Sequence, residues 1–327
     1  MNPLILLTIL ISFFSTFLTL PIWIKKAKEN KRVAKDMHKL SKEQIVDAGG
    51  ILVLVGTSAG ILAYIALNTF YFHNSERLIE IFALLSVLFI SAMVGFSDDL
   101  LGWKKGLSRK VRLLIMTGAA IPLMVINAGD STMLGISFGL IYPLIFIPLG
   151  IVGATTTFNF LAGYNGLETG QGIIILTALS IVTYITGNTW LSVICLCAVA
   201  SLFAFYIFNM HPAKIFPGDI LTYFVGALIA IVAILGDVER ITILFFIPYI
   251  LEVIFKLRGG LKKESFAKLN QDGSLDMPYK KIYGLEHLAI YILKKIKPSK
   301  KVYEKDVVFL INSFQIIVIL LSFLSLI

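Results

Sequence analysis

The chain has 327 residues, of which 57% are hydrophobic and 15% charged. A soluble domain carries about 45–50% apolar and about 25% charged residues, and the apolar residues here run in blocks too long for a water-soluble core, so a soluble enzyme and a disordered chain are both excluded. The formal charge is +9, and the two cysteines, Cys195 and Cys197, are too few for a disulfide framework.

A helix needs about 20 apolar residues to cross the hydrocarbon layer. Ten stretches meet or approach that length: 3–24, 49–72, 78–97, 112–127, 139–157, 172–187, 189–208, 219–236, 240–256 and 306–327. The fourth and sixth are short and contain glycine. The first lacks a basic leader and a small-residue cleavage site and is too long for a signal-peptide core, so it is expected to remain as a helix. The expected fold is an all-α polytopic membrane protein, a single domain over 1–327 with about ten transmembrane helices and no internal repeat.

The basic residues alternate from loop to loop. Segment 25–48 holds eight, 98–112 five, 209–218 one, and 256–305 thirteen, so 27 of the 29 Lys and Arg residues fall on one side and only Arg77 and Arg240 on the other. By the positive-inside rule these loops face the cytoplasm and both termini face out. The one-sided charge also attracts anionic lipid heads. Nucleic acid is a poor partner, because no binding module is visible. Within the long cytoplasmic loop 257–305, the stretch 284–297 (GLEHLAIYILKKIK) is amphipathic and predicts an interfacial helix beneath the membrane.

Acidic and amide residues collect on that same side. Asp98 and Asp99 end the third stretch; Asp219 follows Phe216-Pro217-Gly218 at the start of the eighth; Glu168 lies in a polar, glycine-rich loop, Thr155 to Gly172. A lone Asp219 could simply cap a helix. The Asp98–Asp99 pair is harder to explain so, because a helix C-terminus disfavours negative charge. A divalent cation would resolve the conflict, and Mg²⁺ prefers carboxylates, phosphate oxygens and water. Carboxylates, amide loops and basic residues at one membrane face suit a phosphorylated substrate, since phosphoryl transfer needs charge neutralisation and positioning above all.

At these residues the chain resembles the polyprenyl-phosphate N-acetylhexosamine-1-phosphate transferases, and within them the archaeal and eukaryotic branch that acts on UDP-GlcNAc and dolichyl phosphate. Asp36-Met37-His38-Lys39 with Ile45 to Gly50 resembles the first cytoplasmic loop, where the branch often has Glu in place of Asp47. Gly95 to Asp99 resembles the paired aspartates; Asn159 to Glu168 resembles N-x-L-A-G-x-N-G-L-E; Asn209 to Pro212 and Phe216 to Asp219 resemble N-x-x-P…F-x-G-D. The resemblance implies a ten-helix enzyme that moves GlcNAc-1-phosphate from UDP-GlcNAc to a polyprenyl phosphate and releases UMP. It implies Asn159 and Asp219 as Mg²⁺ ligands, with Mn²⁺ as a substitute. Gly163 and Asn165 would hold the uracil, with Asp36, Met37, Lys39, Asp47 and Glu168 lining the nucleotide pocket. Asp98 and Asp99 would be the essential acidic pair, as base or as organiser of metal and cations. The family Lys that lies ten residues before a proline falls on Arg112, counting from Pro122, with Lys110 as the other candidate for binding phosphate. Ala162 and Asn165 stand where bacterial members carry Asp, and a His-rich last loop is absent, which argues against the cell-wall MurNAc-pentapeptide enzyme. Lys263 would stand in for the first Arg of an Arg-His-Arg cluster in the last cytoplasmic loop.

Among other polar residues, none of the four histidines stands at zinc spacing. Glu252, four residues before Lys256, reads as an i,i+4 partner or a snorkelling acid. Cys195 and Cys197 read as core or lipid-facing residues. Rival functions are transfer of another UDP-N-acetylhexosamine and, in a different class, secondary transport, although a transporter would place polar groups near the midplane. Compact loops and the archaeal match favour the plasma membrane of a prokaryote with a cytoplasmic active site; a homodimer is one arrangement open to the chain.

Overall fold

The computed structural model describes residues 3–41, 43–102, 106–133 and 136–324. Lys42, Lys104 and Lys105, counted above toward the cytoplasmic charge, and the last three residues of the tenth stretch lie outside the described residues.

The chain begins with α1 (Pro3–Glu29), followed by a hairpin of β1 (Val33–Lys35) and β2 (Gln44–Val46), in which Val33 faces Val46. Next come α2 (Gly50–Ala66), extended by a π-helical turn Leu67–Tyr71, and α3 (Leu78–Leu101). The fourth stretch is not one helix. It breaks at Ala120 into α4 (Arg109–Ala119) and α5 (Ile121–Val125), because Pro122 has no N–H to continue the ladder and instead opens a new first turn.

A small hairpin, β3 (Thr132–Met133) with β4 (Ile136–Ser137), leads through the π-helical turn Tyr142–Phe146 into α6 (Ile147–Phe160). Then follow α7 (Leu167–Ile185), α8 (Thr189–Asn209) and α9 (Gly218–Leu235). The ninth stretch is also broken, into α10 (Glu239–Phe245) and α11 (Ile247–Arg258) with Pro248 at the start of the second piece. The Phe245 carbonyl freed at this break accepts from Gln315 Nε2 at 2.9 Å. The last loop carries a hairpin, β5 (Lys268–Leu269) with β6 (Leu275–Asp276), then α12 (Leu285–Ile296), and the chain ends in α13 (Glu304–Phe323).

The fold is mostly helical. Eight of the described helices are long and apolar enough to cross a membrane, and the chain is an integral membrane protein. The expected all-α reading needs one amendment: three two-stranded hairpins stiffen the loops. A second correction concerns Thr155 to Gly172. Asn159 lies in the last turn of α6 and Glu168 in the first turn of α7, leaving only 161–166 as loop. Polar residues mark helix ends there, because a helix terminus leaves backbone groups that polar side chains and water satisfy.

At the centre stands α9, 83% of whose apolar window is buried against 22% for α1. It packs between α3 and α6, while α1, α2 and α8 form a second layer and α7 joins α8 to α13. In the second layer the Thr16 and Ser201 hydroxyls hydrogen bond to each other. Cys195 and Cys197 are both buried, the latter 3.7 Å from Thr8 Oγ1, as expected of core residues. The helix predicted over 284–297 exists, with Glu286, His287, Ala289 and Ile290 buried and Tyr291 and Ile296 exposed.

Candidate active site

The start of α9 organises the site. Gly218 adopts φ +70°, a left-handed conformation open to glycine, and a Cβ there would run into the Asp99 carboxylate. That space lets the end of α3 reach the first turn of α9. Asp99 Oδ1 accepts from the Asp219 N–H at 2.7 Å and Oδ2 from the Ile220 N–H at 3.2 Å. Asp99 thus sits at the positive end of a neighbouring helix. The first turn of α9 thereby offsets part of the unfavourable position of Asp99 at the end of its own helix.

Asp98 turns the other way. Its Oδ1 accepts from the Leu107 N–H at 2.6 Å, and its Oδ2 lies 2.7 Å from Arg112 Nη2 in an ion pair. The Arg112 guanidinium lies 5.8 Å from the centroid of the Tyr223 ring. Arg112 therefore faces this group, whereas Lys110 is exposed. Asn159 Oδ1 accepts from Thr222 Oγ1 at 2.9 Å, and the Asn159 side chain is within hydrogen-bond reach of Asp219. Asp47 comes from the first loop, with its Oδ1 accepting from the Ala48 N–H at 2.8 Å. It stands within electrostatic reach of both Asp99 and Asp219, and burial pushes its carboxyl above the usual carboxylate range. The loop is held there by main-chain bonds from Phe216 N to Val46 O (2.7 Å), Gly49 N to Phe216 O (2.9 Å) and Gly50 N to Pro217 O (2.8 Å).

A second group gathers beside it. Asn165 Nδ2 donates to Asp36 Oδ2 at 3.1 Å and to Glu304 Oε2 at 3.3 Å, and its main-chain N–H donates to Glu304 Oε1 at 2.7 Å. His38 Nδ1 lies 3.4 Å from Glu304 Oε1 and His211 Nδ1 3.1 Å from Glu304 Oε2. The His38 and Tyr164 rings are 4.3 Å apart. Lys39 lies 3.7 Å from Asp36 and 3.2 Å from Glu43. Gly163, at φ +107°, turns beneath the Phe266 ring, where a Cβ would come within 3.0 Å of Cε1. The Gly163 N–H donates to Glu168 Oε1 at 2.6 Å. Glu168 is buried and interacts electrostatically with both Glu304 and Asp219, so it lies between the two groups.

The structure therefore brings together Asp98, Asp99, Arg112, Asn159, Asp219 and Asp47 in one group, and Asp36, Lys39, Gly163 and Asn165 in the other, with Glu168 between. Asp36 and Asp47, expected to line one pocket, fall in different groups. Met37 is 44% exposed. Lys263 projects over the rings of Tyr279 (4.9 Å) and Tyr283 (5.8 Å) in the last loop. The sequence marks neither Glu304 nor His38 as a site residue, and it places His211 only near the site, within the Asn209 to Pro212 motif. An acidic residue opening an apolar helix reads as an ordinary N-terminal charge, and no local signal distinguishes Glu304.

Beneath the last loop, Glu252 Oε1 pairs with Lys256 Nζ at 3.3 Å, the expected i,i+4 contact, and Glu252 Oε2 accepts from the Leu285 N–H at 2.6 Å. Lys256 Nζ also donates to Ser265 Oγ at 2.5 Å. Lys256 is buried, so it pairs internally and does not snorkel. His287, fully buried on α12, has its imidazole pushed down to about 4 by burial, with the Lys256 charge adding to the effect. A pKa below the unfolded value of about 6.5 favours the folded state only while the ring is neutral. That stability is complete above pH 6.5 and is lost as pH falls toward 4. Unfolding in detergent should show a loss of about 2 kcal/mol between pH 7.5 and 5 from this residue. The His287→Gln protein should lose that part of the slope; an unchanged slope would contradict it.

Residues 81–237 match the family model described as glycosyl transferase family 4. A Saccharolobus solfataricus protein is 39% identical over 88% of this chain and 88% of its own length; it bears the provisional name UDP-N-acetylglucosamine–dolichyl-phosphate N-acetylglucosaminephosphotransferase. A Dictyostelium discoideum protein named for the same activity is 29% identical over 67% of this chain and 62% of its own. A Streptococcus pyogenes phospho-N-acetylmuramoyl-pentapeptide-transferase is 27% identical over 76% and 77%. With the paired aspartates, Asn159 and Asp219 all inside the matched region, the chain belongs to glycosyl transferase family 4.

Proposed function

We propose that this protein transfers N-acetylglucosamine-1-phosphate from UDP-GlcNAc to a polyprenyl phosphate of the dolichyl type, releasing UMP. The observation that carries this is the convergence of four aspartates, Asn159 and one arginine on the first turn of α9. In this reading the interrupted pairs α4–α5 and α10–α11 are two further crossings, ten in all. The site then opens to the cytoplasm of a prokaryotic cell, with both termini outside.

The donor set suits Mg²⁺. Asp219 offers carboxylate oxygens, the hard ligands this ion prefers, and Asn159 stands beside it with its amide nitrogen toward that carboxylate and its Oδ1 on Thr222, so the amide would turn its oxygen to the ion on binding. The charge balance also asks for a cation. The first N–H groups of α9 are taken by Asp99, so they cannot neutralise a diphosphate, and among the described residues Arg112 is the cation that acts on Asp98 and Asp219 while Asp47 and Asp99 add further negative charge. Held by Asn159 and Asp219, Mg²⁺ or Mn²⁺ would neutralise the diphosphate of the donor.

The chain's own residues do the rest. Asn165, Gly163, Asp36 and Lys39 hold the nucleoside, with Asp47 and Glu168 at the passage between nucleoside and diphosphate. Arg112 draws in the lipid phosphate while Asp98 fixes its guanidinium. A phosphate monoester has its second pKa near 6, so the acceptor is mostly dianionic at neutral pH and needs no strong base. An acceptor oxygen attacks the β-phosphorus directly, and the bond to the α-phosphate oxygen breaks to release UMP. Asp98 and Asp99 act as organisers in this scheme. Lys263, over the rings of Tyr279 and Tyr283 in the last loop, is assigned to the sugar.

The decisive assay supplies radiolabelled UDP-GlcNAc and polyprenyl phosphate to the purified protein. A chloroform-soluble labelled product with matching UMP release is expected; label taken into vesicles without product would refute the enzyme in favour of transport. A panel of UDP-N-acetylhexosamines tests the sugar. Arg112→Ala should raise the KM for the lipid phosphate by about tenfold or more, the loss of a charge-assisted phosphate contact, while Lys110→Ala stays within about twofold. The reverse order would assign phosphate binding to Lys110.

A further inference from the structure

We propose that Glu304 is a positioning residue for the nucleotide base: it fixes the Asn165 amide so that its oxygen is the group left for a ligand, selecting a base edge that donates a proton. This rests on the uridine-nucleotide reading above and deepens it. Glu304 is the first residue of α13, is 4% exposed, and comes from a helix remote in sequence from the loops it joins. Its carboxylate meets the Asn165 main-chain N–H at 2.7 Å, Asn165 Nδ2 at 3.3 Å and His211 Nδ1 at 3.1 Å, with His38 Nδ1 at 3.4 Å. The Ala267 N–H donates to His38 Nε2 at 3.2 Å. That ring nitrogen is therefore an acceptor, and the neutral ring carries its proton on Nδ1, toward Glu304. One carboxylate thus ties together the first loop, the α6–α7 loop and the α8–α9 loop, with the last loop joined through His38.

The consequence for Asn165 is directional. Its Nδ2 has two carboxylate partners, Glu304 and Asp36 at 3.1 Å. A flipped amide would set its oxygen against both, so the orientation is fixed by charge. Among the described residues no hydrogen bond uses Asn165 Oδ1, which leaves an acceptor for a ligand. Uracil offers N3–H to such an acceptor; cytosine presents a bare lone pair at N3 and donates only from N4–H2, one position along its edge, so it must shift out of register to meet the same oxygen. Glu304 itself is held in register by α13. Gln171 Nε2 donates to Asn312 Oδ1 at 2.9 Å, and the start of the helix is closed by Asp306, which accepts from the Tyr303 N–H at 2.8 Å and from Lys297 Nζ at 2.6 Å.

The test compares UMP and CMP binding by calorimetry, and kcat and KM for UDP-GlcNAc, in the full-length wild type, E304Q and E304D. E304Q keeps the volume but turns an amide toward Asn165 and the histidines. It should raise the Kd for UMP and the KM for UDP-GlcNAc about tenfold, narrow the UMP-over-CMP preference by a similar factor, and leave kcat within about twofold. E304D keeps the charge and should retain more of the preference; if E304Q does not fold, a loss of preference in E304D carries the test. Folded variants with wild-type Kd and wild-type base preference would overturn the positioning role while leaving the function intact. So would a fall in kcat or in folded yield with the base preference unchanged, the mark of a purely structural residue. A wild-type protein that binds neither nucleotide and transfers nothing would overturn both.

Discussion

Replacing Asp219 by Ala lowers GlcNAc-1-phosphate transfer by about 10³-fold or more, the scale of losing a preorganised charge-stabilising group in a dry site, and leaves the protein folded. The two halves of this expectation have different causes. Asp219 is hydrogen bonded to Asn159 and lies within electrostatic reach of Asp47, Asp98, Asp99 and Arg112, so removing it would take away the carboxylate proposed to hold a cation at the diphosphate. The same crowding means that the native carboxylate is held among like charges. Its loss relieves repulsion and offsets the small cavity left behind, so the unfolding midpoint should stay the same or rise. Asp219→Asn should be almost as inactive, since a neutral amide binds Mg²⁺ far less well than a carboxylate. Transfer activity measured across Mg²⁺ concentrations, beside thermal unfolding of the same preparations, separates the two effects. An Asp219→Ala protein with near-normal Mg²⁺-dependent transfer would refute the metal assignment.

Much of this site was legible in the sequence, and what was not has identifiable physical reasons. Asp98, Asp99, Asp219 and Glu168 are acidic groups near the ends of apolar runs, where hydration or a ligand must compensate for them, so they stand out even before any resemblance is considered, whereas Asn159 is marked by the resemblance alone. The choice between Lys110 and Arg112 stayed open because helix spacing alone separates their faces without saying which face meets the site; Asp98 decides the orientation of Arg112 through space. Asp36 and Asp47 looked like neighbours in one loop. They part because a hairpin lies between them, with Asp36 following β1 and Asp47 following β2.

The breaks at Ala120 and Phe246 were hidden by averaging. Hydropathy sums over a window treat Pro122 and Pro248 as mildly apolar residues, whereas the backbone treats each as a missing donor. Glu304 was invisible for a different reason. Its partners Asn165, His38 and His211 belong to three separate loops, and only the packing of α13 against α7 brings them to one carboxylate.

Replacing Asp99 by Ala should impair the enzyme through α9 rather than through direct chemistry, and it should do so with a cost in stability that Asp219→Ala lacks. Asp99 satisfies two N–H groups at the buried start of the central helix, at 2.7 and 3.2 Å. A helix cap of this kind contributes about 0.5–2 kcal/mol, and the upper end applies here because one carboxylate satisfies two partly buried donors. Without the cap, the first turn of α9 loosens and Asp219 on that turn loses its fixed position relative to Asn159. Transfer should therefore fall by about 10²-fold, the order expected when a reacting group is displaced by about 1 Å. Asp99→Asn keeps one acceptor for the Asp219 N–H, so it should recover about half of the lost stability and a matching part of the activity. In Asp98→Asn, by contrast, the Arg112 partnership weakens while α9 stays capped, so activity falls without the same loss of stability. Unfolding of the three variants in one detergent, set beside their kcat values, distinguishes the roles. An Asp99→Asn protein as stable as wild type yet wholly inactive would show that the Asp99 charge itself takes part in the reaction.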